Sequence, residues 1–100
     1  MEIRVQSLHF DADQKLKTFI EKKLNKLETF FDSIIRGEVI LRLEPTGQIQ
    51  DKLSEIRLNV PGKVLVAKDK DKSFEAAVDA GVESLRRQLI KYKEKKMQDN

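Results

Sequence analysis

The spacing of the hydrophobic residues changes three times along this chain of 100 residues, and this pattern constrains the fold more than any other feature. Apolar and polar residues alternate from Glu2 to Leu8, which is the period of a strand with one face in water. From Asp13 to Phe31 the apolar residues recur every three or four positions, as on one face of an α-helix. Alternation returns from Glu38 to Ala67, and the helical spacing returns from Ser73 to Tyr92. The sequence therefore predicts a strand, a helix, a region of strands and a second helix.

The region between the two predicted helices divides into three strands. They are predicted from Glu38 to Glu44, from Leu53 to Val60 and from Val64 to Ala67, the last being short and apolar. Pro61-Gly62 separates the last two strands, and a fixed φ followed by a residue free to take a positive φ suits a tight hairpin turn. Pro45-Thr46-Gly47 opens a looser connection between the first two strands, which we expect to be mobile.

Polar residues suited to capping stand at the ends of both predicted helices. Asp11 or Asp13 can accept hydrogen bonds from the free amides that begin the first helix, and Asp32-Ser33 marks its exit. Ser73 can cap the second helix in the same way, with Glu75 in its first turn. Neither helix is apolar all round, so each must bury one stripe against the sheet.

These elements predict an α+β fold of order β-α-β-β-β-α. The strand-helix-strand crossover requires a parallel pair, and the shorter connections that follow make the remaining pairs antiparallel. We therefore expect a four-stranded mixed sheet with both helices packed on one face. The length suits a single domain, predicted over residues 1–96, and residues 97–100 are expected to form a frayed C-terminal tail.

The composition excludes most kinds of catalytic and metal site. The chain has no Cys and only one histidine, His9, so disulfides, thiol catalysis and a zinc site with nitrogen or sulfur ligands cannot be built. Asp11 and Asp13, like Asp69 and Asp71, form pairs that could bind a metal, but each pair precedes a helix, where capping explains it. The four glycines are too far apart for a phosphate-binding loop. We predict a protein that is not an enzyme and has no cofactor or metal.

The sequence also predicts where the protein resides. Its N-terminus lacks the apolar stretch of a signal peptide, and no run approaches the roughly 18 apolar residues of a membrane span. We expect a soluble cytoplasmic protein with no membrane partner.

Basic residues are concentrated on the two helices, although the net charge is only +3. At about 100° per residue, each helix carries basic ridges beside its apolar stripe. On the first helix these residues are Lys15, Lys22 and Lys26, with Lys23 nearer the core, and on the second they are Arg87, Lys91 and Lys95 on one flank and Arg86 and Lys93 on the other. Two such helices side by side would form a groove that an RNA backbone could fill. Alternatively, the basic end of the second helix only balances the helix dipole.

Aromatic residues are scarce, since the chain has one Tyr and no Trp. Recognition by stacking bases on a sheet needs exposed aromatic side chains on strands. We therefore expect RNA to be held by its shape and its phosphates.

The two helices and the hairpin turn resemble a known family, the ribosome hibernation-promoting factors or ribosome-associated inhibitors in their short form. Residues Phe19 to Asp32 resemble its first helix, with the pattern K-L-x-K-L between aromatic residues. Val60-Pro61-Gly62 resembles its hairpin turn. Ala76 to Asp79 and Leu85 to Lys95 resemble its second helix, with the pattern R-Q-L-x-K-x-K-x-K. The family fold has the same β-α-β-β-β-α order and is similar in outline to the double-stranded-RNA-binding domain.

The resemblance implies a translation inhibitor that promotes ribosome hibernation. It would bind the small ribosomal subunit and its ribosomal RNA, occupy the channel of messenger RNA and of the A- and P-site transfer RNAs, and exclude them by volume. The RNA-binding residues implied by the motifs are Lys22, Lys23, Lys26, Arg86, Arg87, Lys91, Lys93 and Lys95.

Some features depart from the family pattern. Lys68 stands where relatives often have an acidic residue, and Ser73-Phe74-Glu75 differs from the usual first turn of the second helix. The chain ends soon after that helix, so we expect any ribosome dimerisation to need a separate factor or not to occur. A second hypothesis stays open on the residues alone: a small α+β protein-interaction or enzyme domain whose helices pack on a partner protein.

Overall fold

The computed structural model describes the backbone of residues 1–46 and 49–98 and the side chains of residues 1–44 and 51–97. The elements in chain order are β1 (Glu2–Leu8), α1 (Gln14–Asn25), a short 3₁₀ helix (Lys26–Thr29), β2 (Arg36–Thr46), β3 (Ile49–Val60), β4 (Lys63–Asp71) and α2 (Phe74–Gln98). The strand order in the sheet is β1-β2-β3-β4. Strand β1 runs parallel to β2, whereas β3 is antiparallel to both β2 and β4. This arrangement confirms the predicted α+β fold.

Buried side chains from both helices and from one face of the sheet form a single core. The fully buried residues include Ile20 and Leu24 of α1, and Leu85 and Leu89 of α2. Gly81 lets α2 lie close to the sheet, because a β-carbon at this position would come within 2.9 Å of the Cδ1 atom of Ile56.

The predicted caps and turn are present. Asp13 Oδ1 accepts a hydrogen bond of 2.8 Å from the amide of Leu16, so Asp13 rather than Asp11 caps α1. Ser73 Oγ accepts a bond of 3.1 Å from the amide of Ala76 at the start of α2. Gly62 has a φ of 77° in the β3–β4 turn, which is the backbone conformation that favours glycine.

The first helix is shorter than its apolar periodicity predicts. The α-helical part ends at Asn25, and the chain continues as the 3₁₀ helix, in which the Phe30 amide donates to the Leu27 carbonyl at 3.0 Å. Three residues per turn place Leu27 directly in line with Leu24, so both leucines stay in the core. Leu24 and Leu27 are three residues apart, a spacing that suggested a continued α-helix but that equals one turn of a 3₁₀ helix.

Strand β4 is longer than the predicted segment from Val64 to Ala67. It extends to Asp71, which pairs with Lys52 of β3, because backbone pairing continues where the side chains become charged. Lysines on an edge strand also discourage pairing with another sheet. Pro45 and Thr46 belong to β2, while Gly47 and Gln48 lie outside the described residues, so the mobility of this connection stays a prediction.

Helix α2 includes Met97 and Gln98 of the expected tail, and Asp99 and Asn100 lie outside the described residues. Among the residues that the structure describes, no helix is both long enough and apolar enough to cross a membrane. Within the same residues there is no group of three or more His, Cys, Asp or Glu side chains placed to hold a metal ion.

Candidate nucleic-acid interface

Helix α1 and the 3₁₀ helix after it lie along one flank of α2, and two contacts identify this flank. Lys23 Nζ of α1 lies 3.0 Å from Asp79 Oδ1 of α2. Seven residues further along α2, the Arg86 guanidinium lies 5.8 Å from the centre of the Phe30 ring. The two helices therefore run in the same direction, with Arg86 on the side of α2 that faces α1.

The opposite flank of α2 faces strand β4 and the β3–β4 hairpin turn. Gln88 Nε2 donates a hydrogen bond of 3.1 Å to the Val66 carbonyl of β4. The Tyr92 hydroxyl donates a hydrogen bond to the Pro61 carbonyl at the start of the turn. These bonds fix the C-terminal half of α2 against the hairpin.

The predicted trough between two facing basic ridges is wrong, because one ridge lies on the wrong flank. Lys91 and Lys95 border an open groove beside Gly62 in the hairpin turn, on the side of α2 away from α1. The charge of Arg87 also acts on β4, where it opposes the rise that burial causes in the pKa of the Asp69 carboxyl. Helical periodicity separates the two flanks of α2, but only the packing decides which of them receives α1.

The basic residues consequently form two groups, one on each flank of α2. The interhelical cluster lies along the flank of α2 that faces α1 and the 3₁₀ helix. It comprises Lys23, Arg86 and Lys93 near the junction, together with Lys22 and Lys26, which are exposed on α1 and on the 3₁₀ helix. The hairpin-side cluster surrounds the open groove, and it comprises Lys63, Lys91, Lys95 and Lys96. Arg87 lies between the clusters on the outer side of α2.

Three of the eight predicted RNA-binding residues are engaged by carboxylates. Lys23 is paired with Asp79, and its ammonium also lies 5.4 Å from the centre of the Phe19 ring. Glu83 pairs with both Arg86 and Arg87. Arg86 Nε lies 3.1 Å from each carboxylate oxygen of Glu83, and Arg87 Nη1 lies 3.4 Å from Glu83 Oε1.

The pairing with Glu83 shifts the pKa of two of the groups involved. The hydrogen bond from Arg86 lowers the pKa of the Glu83 carboxyl, and the same bond raises the pKa of Arg86. Because Glu83 and Arg87 are exposed and Arg86 is partly exposed, the pairing contributes little to stability, and RNA phosphates can compete for the arginines.

The other five predicted residues carry no such partner. Their ammonium groups have no carboxylate within ion-pair distance among the residues described, and all five are exposed: Lys22, Lys26, Lys91, Lys93 and Lys95. An unpaired, hydrated ammonium is available to neutralise a phosphate without first breaking a protein contact.

Residues 3–97 match the model of the family described as Sigma 54 modulation protein / S30EA ribosomal protein. The chain belongs to this family. The match spans both helices and all four strands, so it covers the elements that carry both basic clusters. The family resemblance inferred from the sequence motifs is thereby confirmed.

Several named proteins and solved structures are similar to this chain over nearly their whole length. A protein of Pseudomonas putida named ribosome hibernation promoting factor is 35% identical over 95 residues, which cover 95% of this chain and 89% of that protein. A ribosomal subunit interface protein from Coxiella burnetii has a TM-score of 0.81 at 25% identity, covering 93% of this chain and 98% of that one. The N-terminal domain of Thermus thermophilus Protein Y has a TM-score of 0.80 at 25% identity, covering 92% and 99%.

This family consists of ribosome-binding proteins without enzymatic activity. The prediction that the chain is not an enzyme is therefore confirmed, and the alternative of an enzyme domain is not. The solved structures also confirm the four-stranded mixed sheet with two helices.

Lys63 and Lys96 were not among the residues predicted from the sequence. Lys63 begins β4, and Lys96 lies 5.6 Å from the centre of the Tyr92 ring near the end of α2. Both line the groove that Lys91 and Lys95 border. The sequence signal for Lys63 was its position directly after Pro61-Gly62, but nothing in the sequence shows that this turn packs against the C-terminal half of α2.

Proposed function

We propose that this chain holds ribosomes inactive by binding the small subunit in the channel of messenger RNA and of the A- and P-site transfer RNAs. Membership of the family and the names of its relatives support a role in ribosome hibernation. The observation that carries the finer proposal is the set of five exposed lysines without a carboxylate partner among the described residues, which lie on α1, the 3₁₀ helix and α2 and so on both flanks of α2.

The mechanism needs no covalent step. Each lysine that contacts a phosphate releases condensed counterions, so several such contacts together give an affinity that falls as salt rises. Phosphates also compete with Asp79 and Glu83 for the paired cations Lys23, Arg86 and Arg87. The bound protein then excludes messenger and transfer RNA because two bodies cannot fill one channel.

The placement of the clusters determines how RNA would be held. Because they lie on opposite flanks of α2, the contacts extend across the outer side of the helices and onto the hairpin turn. Ribosomal RNA that surrounds the protein in a channel can reach both flanks, whereas a single strand lying in one groove cannot.

Pelleting with purified ribosomal subunits tests the proposal. The wild-type chain is expected to pellet with small subunits at low salt, to be released as salt rises, and to be displaced by a messenger RNA fragment. The double variant K26E/K91E, which reverses one unpaired lysine on each flank of α2, is expected to lose most of this binding.

The matched control is R42E/K72E, which makes the same change in charge at two exposed residues of the sheet region. It is expected to pellet like the wild type. Equal losses in the two double variants would show that net charge rather than these helix residues governs binding. Binding of the wild type to large subunits alone would contradict the proposed channel.

A further inference from the structure

The groove bordered by the hairpin-side cluster combines an apolar floor with a cationic rim. The floor consists of Pro61, the Tyr92 ring and the edge of Leu65, a core residue that is only 3% exposed, and the volume of the groove is about 350 Å³. Four lysines line the groove and form its rim, Lys63, Lys91, Lys95 and Lys96, and the Lys96 ammonium lies 5.6 Å from the centre of the Tyr92 ring. No carboxylate side chain lines it among the described residues.

The walls of this groove are fixed to each other. The Tyr92 hydroxyl donates to the Pro61 carbonyl and so joins α2 to the hairpin turn. Gln88, which also lines the groove, is held by two hydrogen bonds of 3.1 Å, one to the Val66 carbonyl and one to Ser84 Oγ. The apolar floor therefore exists before any ligand binds, which lowers the entropy lost on binding.

The chemistry of floor and rim selects one class of ligand. An inorganic anion would need only the lysines and would leave the apolar floor uncovered. Paired RNA presents its phosphates but keeps its bases inside the helix, away from a groove on the protein surface. A nucleotide outside a helix offers both a flat base for the floor and a phosphate for the rim.

We propose that this groove holds one unpaired nucleotide, with its base against Pro61, Leu65 and Tyr92 and its phosphate among the lysines. This inference rests on the proposed function, and it adds a base contact where the sequence suggested recognition by shape and phosphate alone. The nucleotide comes from an unpaired segment of ribosomal RNA or is a free nucleotide. Both sources share the same chemistry, and affinity separates them.

Amide chemical shifts of the ¹⁵N-labelled full chain, recorded at about 0.1 M salt, test the proposal with three probes: a single-stranded RNA of five nucleotides, a duplex RNA and adenosine 5′-monophosphate. The single strand is expected to shift the amides of Gly62, Lys63 and Leu65. K63E is expected to weaken this binding about five- to eightfold, as the loss of one phosphate contact. K72E, the same change outside the groove, is expected to alter it less than about twofold.

The probes distinguish the possible outcomes. Tighter binding of the five-nucleotide strand than of adenosine 5′-monophosphate supports an RNA segment as the source, and equal affinity supports a free nucleotide. Duplex RNA that shifts the same amides with equal affinity would overturn the proposal, because the base would then contribute nothing. So would the absence of any shift in the groove.

Pelleting of K63E with small subunits separates this inference from the proposed function. If no probe engages the groove and K63E still pellets like the wild type, the groove proposal fails and ribosome binding stands. If the wild-type chain does not pellet with small subunits and the groove still binds adenosine 5′-monophosphate, the proposed function fails and the nucleotide site stands.

Discussion

The two flanks of α2 carry similar numbers of basic residues, but the residues differ in how many partners they have. In the interhelical cluster Lys23 is paired with Asp79, and Arg86 is paired with Glu83 and lies over the Phe30 ring. In the hairpin-side cluster no lysine has a carboxylate partner among the described residues, and only Lys96 lies over a ring. The number of basic residues on a helix therefore overstates the charge that is available to an RNA.

Charge reversal within each cluster should separate the two flanks. K91E/K95E removes two unpaired lysines beside the groove, and K22E/K26E removes the same charge from α1 and the 3₁₀ helix. If each lysine neutralises one phosphate, the loss of two contacts weakens small-subunit binding by about 25- to 60-fold at 0.1 M salt. We expect K91E/K95E to reach this range and K22E/K26E to fall short of it, because only the former also removes the rim of the groove.

Affinities measured over a range of salt concentrations check this prediction. The slope of log affinity against log salt should fall by about 1.4 to 1.8 for the variant that loses two contacts. A larger loss of affinity in K22E/K26E would mean that the interhelical side, and not the hairpin side, is the principal contact with the RNA.

Removing the carboxylate of Glu83 should increase affinity. E83Q frees Arg86 and Arg87 from their common partner, and it adds one unit of positive charge to the outer side of α2. We expect binding to small subunits at 0.1 M salt to strengthen by about five- to eightfold, which corresponds to about one added phosphate contact.

The control for E83Q is E94Q, which makes the same change in charge on the same helix at an exposed residue without an arginine partner in the described structure. Salt titration of both variants isolates the contribution of the freed arginines. If E94Q strengthens binding as much as E83Q, the pairing with Glu83 does not restrain the arginines.

The smallest expected effects concern stability, and they compare one tertiary contact from each flank. Y92F removes the hydroxyl that donates to the Pro61 carbonyl but keeps the ring, and it should lower the free energy of unfolding by about 1 kcal/mol. K23Q breaks the ion pair with Asp79, in which both side chains are partly exposed, and should lower it by only about 0.5 kcal/mol. Urea denaturation at neutral pH measures both values. A larger loss in K23Q would show that the interhelical ion pair matters more than the bond that holds the hairpin turn to α2.

Particular elements show how far the sequence could predict this molecule. Leu16, Ile20 and Leu24 recur at a spacing of four and identified α1, and Pro61-Gly62 identified the hairpin turn. The residue at which α1 ends could not be predicted from the apolar spacing, because residues spaced by three suit both an α-helix and the 3₁₀ helix that carries Leu27. The end of β4 could not be read either, since its last residues pair through the backbone and carry charged side chains.

In the candidate site, too, the sequence predicted some features and not others. The motifs indicated eight basic residues, and the structure describes all eight on α1, the 3₁₀ helix or α2. Lys23 is engaged by Asp79 across two helices, a contact between residues 56 positions apart in the chain, whereas Arg86 and Arg87 are engaged within α2 by Glu83, three and four positions earlier. Lys63 could not be identified from the sequence, because its nearest basic neighbours are on a helix that begins 11 residues later.

The sequence by itself determined the elements, their order and the faces of each helix that carry apolar or basic residues. These properties follow from local periodicity and capping, in which residues a few positions apart decide the outcome. Only the tertiary structure decided which flank of α2 lies against α1 and which lies against the hairpin turn. An amphipathic helix fixes the direction of its apolar stripe toward the core, but both polar flanks remain equally compatible with that stripe until neighbouring elements pack beside it.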